Sequence, residues 1–163
     1  MYTTEGIVLK KTAVGEADAL FTIYTKDYGK IRAMAQGVKK ETAKLKGHLE
    51  TLNLVQLGFV LGKNGERLTQ ASLLKHWPTI RVNWNKVSAI NRVTDWIDRG
   101  CMVGEKDTEL WSLLINNFQY IESMNNFTVL DFTRTIRAFE KEFSSILGYG
   151  EKSLKNIEYI NNV

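Results

Sequence analysis

The sequence contains one cysteine, one proline and two histidines in 163 residues. A single thiol cannot build a disulfide framework, and alone it cannot hold zinc, so Cys101 fits a reducing compartment. One proline excludes collagen-like chains and proline-rich linkers. No apolar run approaches the roughly 18 residues of a membrane span. Met1 to Glu5 also lacks the basic start and apolar stretch of a secretory leader. The expectation is a cytoplasmic protein with no membrane contact.

Chemistry-bearing patterns are scarce as well. His48 and His76 have no cysteine or carboxylate at metal-ligand spacing, which argues against a metal site. Gly62-Lys-Asn-Gly65 lacks the Lys-Ser/Thr ending of a phosphate-binding loop, and no Gly-x-Ser-x-Gly elbow occurs. Glu16 and Asp18, beside Gly15, read as turn polar groups rather than a catalytic carboxylate pair. The residues therefore predict no catalytic site and no cofactor.

What is present is a globular composition, 44% hydrophobic and 25% charged, long enough for one domain or two small ones. Charge is unevenly placed. Residues 1–80 hold 12 Lys/Arg against 7 Asp/Glu, whereas residues 81–163 hold 10 against 11. A basic half beside a neutral half suggests that the first meets a polyanion.

The hydrophobic period changes at the same place. Thr4–Thr12, Leu20–Thr25, Lys30–Ala35, Leu52–Leu61 and Arg67–Leu74 read as five strands. The turns between them are marked by Gly15 to Asp18, Asp27 to Gly29 and Gly62 to Gly65. Five short strands in about 75 residues favour a closed barrel, because closure removes exposed edges. After Pro78 the spacing becomes helical: Val87, Ile90, Val93 and Ile97; then Leu110, Leu114, Phe118 and Ile121, with Asp107 as candidate N-cap. Val129, Phe132, Ile136, Phe139, Phe143 and Ile146 form a third run, opened by a Thr128/Asp131 capping pair and ended by Gly148. The expected architecture is α+β, a five-stranded barrel over 1–78 followed by an α-helical bundle over 79–163.

The basic segment supplies the site. Lys30, Arg32, Lys39, Lys40, Lys44 and Lys46 are opposed only by Glu41 between residues 30 and 48. A lysine run is ordinarily a solvated face. Here small residues interleave it (Gly37, Thr42, Ala43, Gly47), which would let a phosphate backbone approach. Aromatic residues on neighbouring strands could stack bases, and Tyr28, in a hairpin loop, is the best placed of them. Phe59 reads as barrel core.

These segments resemble the RecO family of bacterial recombination mediators. The resemblance runs through Gly6-Ile-Val-Leu9, Gly15-Glu-Ala-Asp18, Thr25-Lys-Asp-Tyr-Gly-Lys30, Ala35-Gln-Gly-Val-Lys-Lys40 and Leu45-Lys-Gly-His-Leu49. Phe139 to Tyr149 is similar to the family's closing helix. It implies an N-terminal OB-fold with a helical domain behind it. It also implies binding of single- and double-stranded DNA, annealing of complementary strands and, with RecR, help in loading RecA onto DNA coated by single-strand-binding protein. The exposed stripe expected for Arg134, Arg137 and Lys141 then becomes a candidate groove for the acidic tail of single-strand-binding protein, against a plain reading as a solvated helix edge. Two features depart from the family pattern: Gln36 stands where a basic residue is common, and Glu151 to Val163 lacks the cysteine cluster suited to zinc. An OB-type RNA-binding module and a non-enzymatic scaffold subunit remain as alternatives from the residues alone.

Overall fold

A computed structural model describes residues 1–148; the cysteine-free segment from Glu151 onward lies outside them. Five strands come first: β1 (Tyr2–Val14), β2 (Asp18–Thr25), β3 (Gly29–Ala35), β4 (Leu54–Gly62) and β5 (Gly65–Lys75). Four helices follow: α1 (Pro78–Arg81), α2 (Trp84–Gly100), α3 (Thr108–Ser123) and α4 (Val129–Ile146). Two compact units result. One holds Met1–Trp77 with Thr94–Thr108, and the other begins with Pro78–Val93 and resumes at Glu109. The last turns of α2 and the loop after it therefore belong to the barrel unit.

The strands close in the order β1-β2-β3-β5-β4. Every neighbouring pair is antiparallel except β3 with β5. This is the five-stranded Greek-key OB barrel expected from the sequence. Alternation fills the interior with Val8, Phe21, Ile23, Ile31, Leu57 and Phe59 among others. β1 pairs with both β2 and β4 at Gly6, which faces Thr25 and Val55. A Cβ there would sit 2.6 Å from the Ile23 side chain, so the seam needs glycine.

Residues 36–53 are a run of tight turns rather than a free loop. Amides of Lys40, Ala43, Lys46 and His48 each donate to the carbonyl three residues earlier. Val38, Leu45 and Leu49 from this run pack on the barrel core. The strand expected from Leu52 starts instead at Leu54. Leu52 has φ 74°, held by its own amide on Val8 O (2.8 Å) and by Trp77 Nε1 on its carbonyl (3.1 Å).

In the helical unit, α4 carries the expected cap. The Asp131 amide donates to Thr128 Oγ1 and the Thr128 amide to the Asp131 carboxylate, satisfying donors the helix leaves open. Phe139 and Phe143 stack at 5.5 Å on its buried face. A second device was not anticipated. Lys86 is only 2% exposed, and its ammonium donates to Met124 O (2.5 Å), Thr79 Oγ1 (2.9 Å) and Glu122 O (3.3 Å). It supplies the positive charge that the last turn of α3 lacks. The Glu122 carboxylate in turn accepts from the amides of Thr79 (3.1 Å) and Ile80 (3.0 Å).

Candidate nucleic-acid interface

The outward side of the barrel is set by register. Val8 opposes Ile23, both facing in; Leu9 is then a bulge, and Lys10 opposes Thr22. Strict alternation from Val8 would turn Lys10 inward. The extra residue re-aims it to the outside. Thr22 opposes Arg32 on β3, so Lys10, Thr22 and Arg32 form one outward row. At two strand spacings, the outer pair lie roughly 10 Å apart at the backbone. The next row is Thr12, Leu20, Met34, Arg67 and Val60, crossing all five strands.

Lys10, Arg32 and Arg67 are all exposed. None of the three has a carboxylate of a described residue within ion-pair distance. Exposed cations without an ion pair are available to an anion. Sequence reasoning missed Lys10 because the bulge inverts its side. It missed Arg67 because the β3–β5 pairing that sets it beside Met34 is a barrel-closing contact with no local signature.

The cations expected from the sequence divide into groups. Arg32 lies in the row just described. Lys40, Lys44 and Lys46 are exposed on the turns that follow β3, likewise without an ion pair to a described residue. Lys39 is half-buried: its ammonium donates to Gly15 O at 2.7 Å and its amide to Ala17 O, fastening the turns to the β1–β2 connection.

Lys30 must be withdrawn from the phosphate-binding set. It is 9% exposed, and its ammonium donates to Asp98 O at 2.6 Å with the Asp98 carboxylate at 3.7 Å. Residues 98–107 lie across this end of the β2–β3 face. The Gly104 amide donates to Lys30 O at 2.8 Å, and Val103 bridges to Lys30 in parallel. Gly29 has φ 65°, and a Cβ there would collide with the Glu105 carbonyl, so the covering segment sits directly on the hairpin. Tyr24, opposite Lys30, is fully buried beneath it, and burial pushes its phenol well up from its ordinary pKa. The covering segment lies about 70 residues away in sequence, beyond any local pattern.

Tyr28 is likewise committed to the barrel. Its ring meets Tyr2 edge-on at 5.5 Å and Phe59 edge-on at 5.4 Å, while Tyr2 and Phe59 stack at 5.3 Å. Phe59 is core, as its strand position indicates. Leu20 and Met34, both half-buried on the outward row, are the apolar groups this face offers instead.

Among the described residues, no three of His, Cys, Asp or Glu gather where they could hold a metal ion. His48 accepts from the Leu73 amide at Nδ1 (3.2 Å). Burial pushes the Cys101 thiol up to about 11, so it stays protonated at neutral pH. In the helical unit, Arg134, Arg137 and Lys141 are exposed at a three-then-four spacing along α4, on the side away from buried Phe139 and Phe143. No described helix is long and apolar enough to cross a membrane.

Comparison with known proteins bears on this barrel directly. Residues 1–77 match the family model described as recombination protein O N terminal, RecO_N. Over 160 residues, 98% of the chain, it is 31% identical to the DNA repair protein RecO of Trichodesmium erythraeum. The chain belongs to the RecO family. The RecO of a Roseiflexus species is 29% identical over 91% of the chain, and that of Thermodesulfovibrio yellowstonii 32% over 74%. The chain spans about half the length of these RecO proteins: 53%, 50% and 49% respectively.

Proposed function

We propose that this RecO-family barrel is a DNA-binding module that grips sugar-phosphate backbone without reading sequence. The observation that carries the reading is the outward placement of exposed Lys10, Arg32 and Arg67 on adjacent rows of the barrel wall, with no carboxylate of a described residue within ion-pair distance. Lys40, Lys44 and Lys46 add exposed charge on the turns after β3. Phosphate neutralisation releases counterions and depends little on the bases, so the same surface accepts single- and double-stranded DNA.

Annealing follows from the same physics. Two complementary strands repel through their phosphates, and a cationic surface screens that repulsion while leaving most base edges free to pair. In a RecO-type role the protein acts in the cytoplasm, without catalysing a bond change. With RecR it helps load RecA onto DNA coated by single-strand-binding protein. The Arg134, Arg137 and Lys141 stripe would receive the acidic tail of single-strand-binding protein, since opposite charges arrayed along a helix favour such a partner.

A strand-annealing assay tests this role. The protein is expected to accelerate pairing of complementary oligonucleotides, with and without single-strand-binding protein, and to lose that effect as salt rises. Annealing no faster than the spontaneous rate at low salt would contradict the proposed role.

A further inference from the structure

A groove of about 390 Å³ opens beside the outward row, under the β4–β5 turn. Its floor is Met34, Arg67 and Val60, adjacent on three neighbouring strands. Its rim is the Lys63-Asn64 turn with Gly65 at φ 106°, faced by Asp18 and Gln36. We propose that this groove receives a single unstacked nucleobase of a bound strand, held against Met34 and Val60 with the Arg67 guanidinium beside it.

The chemistry of the lining favours that occupant over a bare phosphate or an apolar ligand. A base has two apolar faces and a polar edge. The groove offers a thioether and a branched aliphatic side chain for the faces, and the amides of Gln36 and Asn64 for the edge. Arg67 adds a planar cation, able to stack on a base or pair with the adjoining phosphate. Asp18 and Glu66 also line the groove and offset Lys63 and Arg67, so it offers a phosphate no net positive charge. Phosphates therefore belong outside, towards Arg32 and Lys10 in the next row, and the base inside. Amide groups that can donate or accept suit more than one base, so occupancy need not select sequence.

This inference rests on the phosphate-binding reading above and adds a preference. A base can enter only after leaving its stack, so single strands or frayed duplex ends bind more tightly than intact duplex.

The test compares a single strand with its abasic counterpart of equal length and charge, using the unaltered protein at fixed low salt. A lost base contact of this kind weakens binding by about tenfold. The Val60→Phe variant fills the floor, and Gln36→Trp fills the groove from its exposed rim, where folding is least at risk. Either is expected to bring the intact strand close to the abasic strand in affinity. Equal affinities for the intact and abasic strands with the unaltered protein would overturn the groove while leaving the phosphate track standing. Failure of both strands to bind at low salt would overturn both. A tenfold difference that persists in both filled variants would place the base contact elsewhere and overturn this site.

Discussion

The triple variant Lys10→Glu/Arg32→Glu/Arg67→Glu is expected to bind single-stranded DNA about a hundredfold more weakly than the unaltered chain at low salt. The reason is additive electrostatics of three exposed cations. Each phosphate contact contributes about −0.7 to the log-log salt slope on a single strand, so losing three should make the slope shallower by about two. Folding is not at stake: all three point outward, and none holds an ion pair to a described residue. Titration by fluorescence anisotropy over a range of salt, with circular dichroism as the folding control, reads both quantities. A folded variant whose affinity stays within threefold would remove these three cations from the account. Lys30→Gln is the instructive contrast: its ammonium is already spent on Asp98, so changing it should alter stability without a matching change in salt slope.

The second large effect concerns stability of the helical unit. Lys86→Met keeps most of the side-chain volume but removes three hydrogen bonds from a nearly inaccessible site. The Glu122 and Met124 carbonyls at the end of α3 would lose a charged donor, and the expected loss is about 2–4 kcal/mol. Thermal unfolding followed by helical circular dichroism should show a melting temperature lower by about 10 °C or more. A change of less than about 2 °C would mean that the ammonium contributes nothing net there.

Glu122 gives the same device a pH signature. Burial alone would push its carboxyl up, but the Thr79 and Ile80 amides, the Thr79 hydroxyl and the Lys86 ammonium together hold it below the usual glutamate value. A depressed carboxyl stabilises the fold at pH above its unfolded value, and this contribution is lost as pH falls through the folded one. Part of the acid sensitivity of the helical unit should therefore diminish in Lys86→Met.

The parts of this molecule that were legible in the sequence are those with local causes. Alternation put Phe21 and Ile23 on one face of β2 and Leu20 and Tyr24 on the other without deciding which fills the barrel, and a 3-4-3-4-3 spacing with Thr128 and Asp131 defined α4 down to its cap. The site was less legible because its residues are positioned by distant events. One bulged residue, Leu9, decides which side of β1 Lys10 occupies. Arg67 comes beside Met34 only because β5 closes against β3. Lys30 has the composition and strand position of a phosphate ligand, yet Asp98 on α2 claims it. Lys86 looks like any surface lysine until Met124 and Glu122 fold over it. A charge count located the basic half correctly, but not which of its charges remain free.

The most direct measurement of the central claim is the equilibrium affinity of the unaltered protein for single strands of different sequence as a function of salt. With four or more phosphate contacts, log affinity should fall linearly with log salt at a slope of about −3 or steeper, nearly the same for every sequence. Affinity that barely responds to salt, or that changes sharply from one sequence to another, would contradict a barrel that holds DNA by its backbone.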